Sequence, residues 1–97
     1  MDAQLKAKWV AALRSGQFTQ GRDYLYNPSK GSYCCLGVLC AINGISEDAI
    51  SSQMTTDISR WLDSDLLSKE QRDHLGNKMN DAGVPFAEIA DYIEKNL

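Results

Sequence analysis

Apolar side chains recur every four residues at Leu5, Trp9 and Leu13, with Val10 and Ala12 widening the stripe, and this spacing predicts a first helix over residues 2–14. Asp2 suits its start, because a short carboxylate accepts a hydrogen bond from a free backbone N–H of the first turn. Ser15-Gly16 suits its end, since glycine adopts the left-handed backbone of a helix terminus without penalty. The same periodicity returns at the far end of the chain. Phe86, Ile89, Ala90, Ile93 and Leu97 make one apolar face of a last helix, with Pro85 placed at its first turn. Ahead of it, Ser68 and Gln71 have the spacing of a capping box, and the helix they open places Leu75, Met79 and Ala82 on one stripe before ending at Gly83.

Residues 34–42, Cys-Cys-Leu-Gly-Val-Leu-Cys-Ala-Ile, are apolar on every side. A short run of this kind suits a buried strand or a buried helix. Asn43-Gly44 just after it, and the good helix formers Leu39 and Ala41 within it, favour a central buried helix in which Gly37 lets another element come close; a strand is the alternative. Its Leu36, Leu39 and Ile42 are expected to pack against the stripes of the first and last helices.

Upstream, residues 17–22 are polar, carry Gly21 and read as a loop. Asp23-Tyr24-Leu25-Tyr26 and Ser32-Tyr33-Cys34-Cys35 flank the turn-forming stretch 27–31, which predicts two short strands near 23–26 and 32–35. Residues 45–54 read as a connection with room for a helical turn. Thr55 or Thr56 would then cap a short helix through Leu62, with Ile58, Trp61 and Leu62 inward. The elements add up to a mainly helical α+β fold: about five helices packed around a central buried helix, with one short β-hairpin near 23–35, in a single domain over 1–97.

Charge narrows the partners. Ten Lys and Arg face thirteen Asp and Glu, for a net charge of -3. That balance disfavours a nucleic acid duplex, whose binding is dominated by phosphate neutralisation. No apolar stretch is long enough to span a membrane, and Met1–Trp9 lacks the apolar core of a secretory leader, so a cytoplasmic protein is expected. Cys34, Cys35 and Cys40 are the three cysteines, too close together and odd in number for a disulfide framework. They are expected to be reduced and buried, acting as small apolar side chains. Their spacing is not that of a zinc site, and His74 is the one histidine, so no metal or cofactor is expected.

Candidate chemistry is sparse. No Ser/His/Asp set can be assembled, and the formal pairing of Cys34 or Cys35 with His74 has no local support, so an enzyme is not expected. The stretch 16–22 has two glycines and Arg22, the makings of an anion-holding loop, but it lacks the Lys-Ser/Thr ending of a phosphate-binding loop and follows a helix rather than a strand. Arg22, Tyr24, Tyr26, Lys30 and Tyr33 follow closely, and on a strand Tyr24 and Tyr26 would share a face. Cations for phosphate and aromatic faces for stacking are the groups that hold a nucleotide. The candidate ligand-binding residues are therefore Arg14, Arg22, Tyr24, Tyr26 and Lys30. The run 84–93 resembles the first helix of a DNA-reading helix-turn-helix but is followed by no recognition helix, and it reads as a packing helix.

Several strings together carry a resemblance: Lys8-Trp9-Val10-Ala11-Ala12-Leu13-Arg14-Ser15-Gly16, then Gln20-Gly21, then Tyr33-Cys34-Cys35-Leu36-Gly37-Val38-Leu39-Cys40, and finally Asn80-Asp81-Ala82-Gly83, Phe86 and Glu88-Ile89-Ala90. The chain thereby resembles a group of small phage and prophage proteins with a Cys-Cys-Leu-Gly-Val-Leu-Cys core and a C-terminal Asn-Asp-x-Gly-x-x-Phe-x-Glu-Ile-Ala segment. The resemblance implies a phage accessory protein made in a bacterial cytoplasm. No established activity or functional residue comes with it. In that setting the expected function is a binding protein that counters a bacterial defence system by sequestering a small nucleotide signal. The alternative is a protein–protein inhibitor of a host defence enzyme or CRISPR complex. A homodimer or higher cyclic oligomer is also expected, because so small a domain buries little surface alone.

Overall fold

The computed structural model describes residues 1–62 and 66–97, with the backbone alone described at 55–57. The chain is a mainly helical α+β fold. Helix α1 spans Ala3–Arg14, and the carboxylate of Asp2 caps it by accepting a hydrogen bond from the Leu5 N–H at 2.9 Å. Gly16 follows at φ +77, as a helix stop requires. Trp9, Val10 and Leu13 are buried, while Leu5 is half-buried at the edge of the same stripe.

Three two-residue strands come next: β1 (Thr19–Gln20), β2 (Tyr26–Asn27) and β3 (Ser32–Tyr33). The expected hairpin is present, with β2 antiparallel to β3 in the register Tyr26 to Tyr33 and Asn27 to Ser32. The stretch expected to be only loop adds a strand: β1 pairs parallel with β3, Thr19 with Ser32 and Gln20 with Tyr33, so that β3 is central. Nothing in the polar string 17–22 signals this pairing. It depends on partners outside the string, described below.

Helix α2 (Cys35–Ile42) resolves the helix-or-strand alternative in favour of a helix, and residues Cys35 through Cys40 are all buried. Its start is tightly specified. The Cys34 sulfur accepts a hydrogen bond from the Gly37 N–H, and the Trp9 indole donates to the Cys35 carbonyl at 2.9 Å, tying α1 to α2. Gly37 is where the chain needs a missing side chain. A Cβ there would collide with the Leu25 carbonyl oxygen, against which the helix runs. Leu36 and Leu39 are fully buried, and Ile42 is half-buried at the helix end.

The middle of the chain holds a one-turn helix α3 (Glu47–Ile50), capped by the Ser46 hydroxyl, and a 3-10 turn over Thr55–Arg60 preceded by Met54. The tighter turn replaces the helix expected through Leu62; Ile58 is buried, whereas Trp61 and Leu62 are half-buried. Helix α4 (Lys69–Asp73) opens with the capping box: the Ser68 hydroxyl accepts from the Gln71 N–H, and the Gln71 side chain accepts from the Ser68 N–H. The helix then widens into a π-helical segment over His74–Asn80, with the Asp81 N–H reaching back to the Gly76 carbonyl. Widening changes the inward face. Leu75 and Asn80 are buried, Met79 is half-buried, and Ala82, expected on the stripe, is exposed. Helix α5 (Phe86–Asn96) begins just after Pro85 and buries Phe86, Ile89, Ala90 and Ile93 against α1. Among the described residues no helix is long and apolar enough to cross a membrane.

Candidate ligand-binding cleft

A single buried amide organises the sheet edge. Asn80, at the end of the π-helical segment, is fully buried, and every polar position of its side chain is used. Its Oδ1 accepts from the Cys35 N–H (3.1 Å) and the Gln20 Nε2 (3.2 Å), and its Nδ2 donates to the Gly21 carbonyl (2.8 Å) and Asp81 Oδ1 (3.2 Å). Gln20 extends the network. Its Nε2 also donates to the Val84 carbonyl (2.7 Å), and its Oε1 accepts from the Phe86 N–H (2.9 Å), satisfying a free donor at the start of α5. These bonds fix β1 against β3 and explain why a polar string holds a strand.

Beyond Gly21 the backbone makes a strained turn. The Tyr24 N–H donates to the Arg22 carbonyl at 2.8 Å, and Asp23 between them sits at φ +70. A three-residue turn with positive φ at its centre is the rare, strained form. It is held from outside, because the Asp23 N–H donates to Asp81 Oδ1 at 2.9 Å. Across from it, the β2–β3 turn is set by Asn27, whose Oδ1 accepts from the Ser29 N–H and whose carbonyl accepts from the Lys30 N–H.

Between the two turns lies an open cleft of about 410 Å³, lined by Thr19, Gln20, Gly21, Arg22, Asp23, Tyr24, Asn27, Lys30 and Ser32. Two cations face one carboxylate there, on a chain whose total charge is -3. Among the described residues neither the Arg22 nor the Lys30 side chain makes a hydrogen bond or ion pair. The guanidinium of Arg22 lies over Gly83, where a Cβ would come within 3.1 Å of its Nη2. Ser32 is 3% exposed, and its hydroxyl has no hydrogen-bond partner among the described residues. It occupies the space that a Cβ on Gly21 would need. A buried hydroxyl left unmet costs about 1–3 kcal/mol.

Of the five candidate residues, the cleft gathers Arg22, Tyr24 and Lys30. Arg14 stands elsewhere, at the end of α1, and donates to Asp91 Oδ1 (2.5 Å) and Glu94 Oε2 (3.0 Å). Those hydrogen bonds, to Glu94 first and then Asp91, raise its pKa and commit its charge. Tyr26 is not part of the cleft lining. Its ring packs 4.7 Å from that of Tyr33, which also meets Phe18 edge-on at 5.1 Å. The Tyr33 hydroxyl donates to Glu47 Oε1 at 2.6 Å, and burial followed by the nearby Glu47 raises both phenol pKa values. Sequence reasoning missed Thr19, Asn27 and Ser32, single polar residues without a pattern. It also missed the bracing pair Gln20 and Asn80, although both stand in the strings that carry the phage-protein resemblance.

The cysteines and the histidine do not line the cleft. All three cysteines are buried thiols outside any disulfide. The Cys35 thiol donates to the Leu75 carbonyl, and burial pushes its pKa well up; burial pushes that of Cys40 up to about 12. A thiolate, the reactive form, is disfavoured at both. His74 stacks on Tyr92 at 5.0 Å. Among the described residues no group of three or more His, Cys, Asp or Glu is placed to hold a metal ion.

A family defined as a domain of unknown function, DUF8296, matches residues 1–67. The chain belongs to this family. The matched span contains every residue lining the cleft and all of α2, whereas Asn80 and Asp81, which brace the cleft from behind, lie beyond it. No curated protein and no solved structure matches the chain.

Proposed function

We propose that this DUF8296 protein is a non-enzymatic binding module that holds a small phosphate-bearing nucleotide signal in the cleft between β1 and the β2–β3 turn. In the phage setting implied by the resemblance, it would act in the bacterial cytoplasm as a sponge, withdrawing a signal on which a host defence system depends. One observation carries the reading. Arg22 and Lys30, which make no ion pair among the described residues, line one cleft with Tyr24 on an acidic protein. Two cations on one lining, unpaired with any carboxylate among the described residues, suit a ligand that brings its own negative charge. The cleft volume is within the range for small-ligand sites, roughly 300–1,000 Å³.

Calorimetric titration with a panel of cyclic dinucleotides and ADP-ribose-type signals tests the proposal, repeated on Arg22→Ala and Lys30→Ala. The expected result is one ligand bound at micromolar affinity or better, and lost in both folded variants. Binding that survives both substitutions would overturn the site.

A second reading, a protein-blocking inhibitor, is favoured by a different feature. An open groove of about 560 Å³ runs along α1, lined by Ala3, Ala7, Val10 and Ala11 with Lys6, Arg14 and Glu94 at its sides. An apolar helix face of this kind suits a partner surface or a second copy of the chain. Ala7→Arg would fill it. Loss of defence inhibition in that variant, with ligand binding intact, would favour this reading over the sponge.

A further inference from the structure

We infer that Met54 completes the site, and that the ledge it forms with Tyr24 selects ligands carrying a planar aromatic base beside their phosphate. The inference rests on the reading of the cleft given above. Among the described residues, Tyr24 (36% exposed) and Met54 (50% exposed) are the large hydrophobic side chains left in solvent. They are neighbours, since their backbones form an antiparallel bridge. Residues directly opposed in such a pair project to the same face, with Cβ atoms about 4.5–5.5 Å apart. The Leu25 N–H donates to the Gln53 carbonyl (2.8 Å) within that pairing, and the Ser52 N–H to the Tyr26 carbonyl (2.9 Å) belongs to an adjacent parallel bridge between Tyr26 and Ser51. Leu25, between the two tyrosines, is fully buried, whereas Tyr24 stays in solvent.

The ledge therefore adjoins the cleft through Tyr24, while Arg22 and Lys30 supply charge on the same lining. Inorganic phosphate or a sugar phosphate would use the cations and leave the ledge in water. A base laid on the ledge would cover a tyrosine ring and a thioether, both of which make favourable contacts with an aromatic partner. The segment 51–54 thus supplies the wall that distinguishes a nucleotide from other phosphate esters.

The test uses the full-length protein carrying isotope-labelled methionine methyl groups. Met1, Met54 and Met79 give three signals, and that of Met54 is assigned by its loss in Met54→Leu. ADP-ribose and cyclic di-adenylate are titrated in parallel with ribose phosphate and inorganic pyrophosphate. The base-bearing probes are expected to shift the Met54 methyl upfield through the ring current, and the base-free probes are expected to leave it in place. Met54→Ser should bind the base-bearing probe about tenfold more weakly, the scale of one base–side-chain stacking contact, with pyrophosphate binding unchanged. If base-bearing and base-free probes bind alike and the Met54 signal stays still, the inference is overturned while the phosphate-binding cleft stands. If none of the probes binds at millimolar concentration, the cleft reading falls with it.

Discussion

Helix α2 and the cleft are joined directly through β3, yet they treat their side chains in opposite ways. In α2 the groups turn inward and are used up. Leu36, Val38, Leu39 and Cys40 are fully buried, the Cys35 thiol is bonded to the Leu75 carbonyl, and the first-turn N–H of Gly37 is met by the Cys34 sulfur. In the cleft, Arg22 and Lys30 are exposed, the buried Ser32 hydroxyl has no hydrogen-bond partner among the described residues, and Asp23 is held in a strained turn. A region whose groups satisfy one another specifies the fold. A region whose groups are positioned but unused is available for a ligand. Asn80 belongs to both, bonding the Cys35 N–H on one side and the Gly21 carbonyl on the other.

If that division is right, the largest losses of stability come from α2. A Cβ at residue 37 would collide with a backbone carbonyl rather than with a flexible side chain, so Gly37→Ala is expected to cost about 3 kcal/mol or more, at or above the upper end of the usual range for overpacking. Leu39→Ala, which empties a fully buried position, should cost about 2–5 kcal/mol. Denaturant unfolding measures both. Variants as stable as the parent would show that α2 is not the centre of the core.

The next effect separates the hub from either region. Asn80→Ala leaves the Gly21 carbonyl and the Cys35 N–H without their partner and should cost about 3 kcal/mol. Unlike Leu39→Ala, it should also weaken ligand binding in protein that remains folded, because Asn80 fixes Gly21 immediately before the Arg22 turn. Equal ligand affinity in folded Asn80→Ala and folded Leu39→Ala would show that the hub does not position the cleft.

A smaller effect appears at alkaline pH and includes the buried thiols of α2. Burial raises the pKa of the Cys35 and Cys40 thiols above the ordinary value of 9.0. The folded state then keeps protons that the unfolded state releases, so stability is complete below about pH 9 and falls as pH rises toward the folded pKa, about 12 for Cys40. Each thiol contributes a slope of about 1.4 kcal/mol per pH unit inside that window. Thermal midpoints compared between neutral pH and about pH 10 should fall less in Cys40→Ala than in the parent. An identical fall would remove Cys40 from the account.

The elements legible in the sequence are those whose pattern is local. The stripes Leu5-Trp9-Leu13 and Phe86-Ile89-Ile93, the Ser68–Gln71 capping box and the apolar run 34–42 each declare themselves within a dozen residues, and each forms an element close to the expected span. What was not legible depends on partners far along the chain. The strand β1 exists because Gln20 bonds residues about sixty positions away, at Asn80, Val84 and Phe86. The π-helical widening carries Asn80 inward in place of Ala82, contrary to the helical period. The candidate site shows the same limit. Arg22, Tyr24 and Lys30 stay together because two adjacent turns present them, whereas Arg14 is claimed by carboxylates on α5 that no local pattern reveals.

The smallest stability effect is expected for the two arginines, and it sharpens the comparison most. Both are exposed cations chosen from the sequence for the same role, yet Arg14 is paired with Asp91 and Glu94 while Arg22 has no ion-pair partner among the described residues. Exposed ion pairs contribute little because water and salt screen them. Arg14→Ala should therefore lower the melting temperature slightly at low salt, with the difference fading as salt is added. Arg22→Ala should leave the melting temperature of the free protein unchanged, or raise it slightly, since its guanidinium beside Gly83 forms no bond that the fold requires. The order reverses with ligand present. A ligand held by Arg22 stabilises the parent and Arg14→Ala alike through mass action, and it fails to stabilise Arg22→Ala. Melting curves of the parent and the two variants, with and without the best ligand from the nucleotide panel, decide it. Ligand-induced stabilisation lost in Arg14→Ala and kept in Arg22→Ala would mean that the paired arginine is the functional one and that the cleft is an ordinary surface.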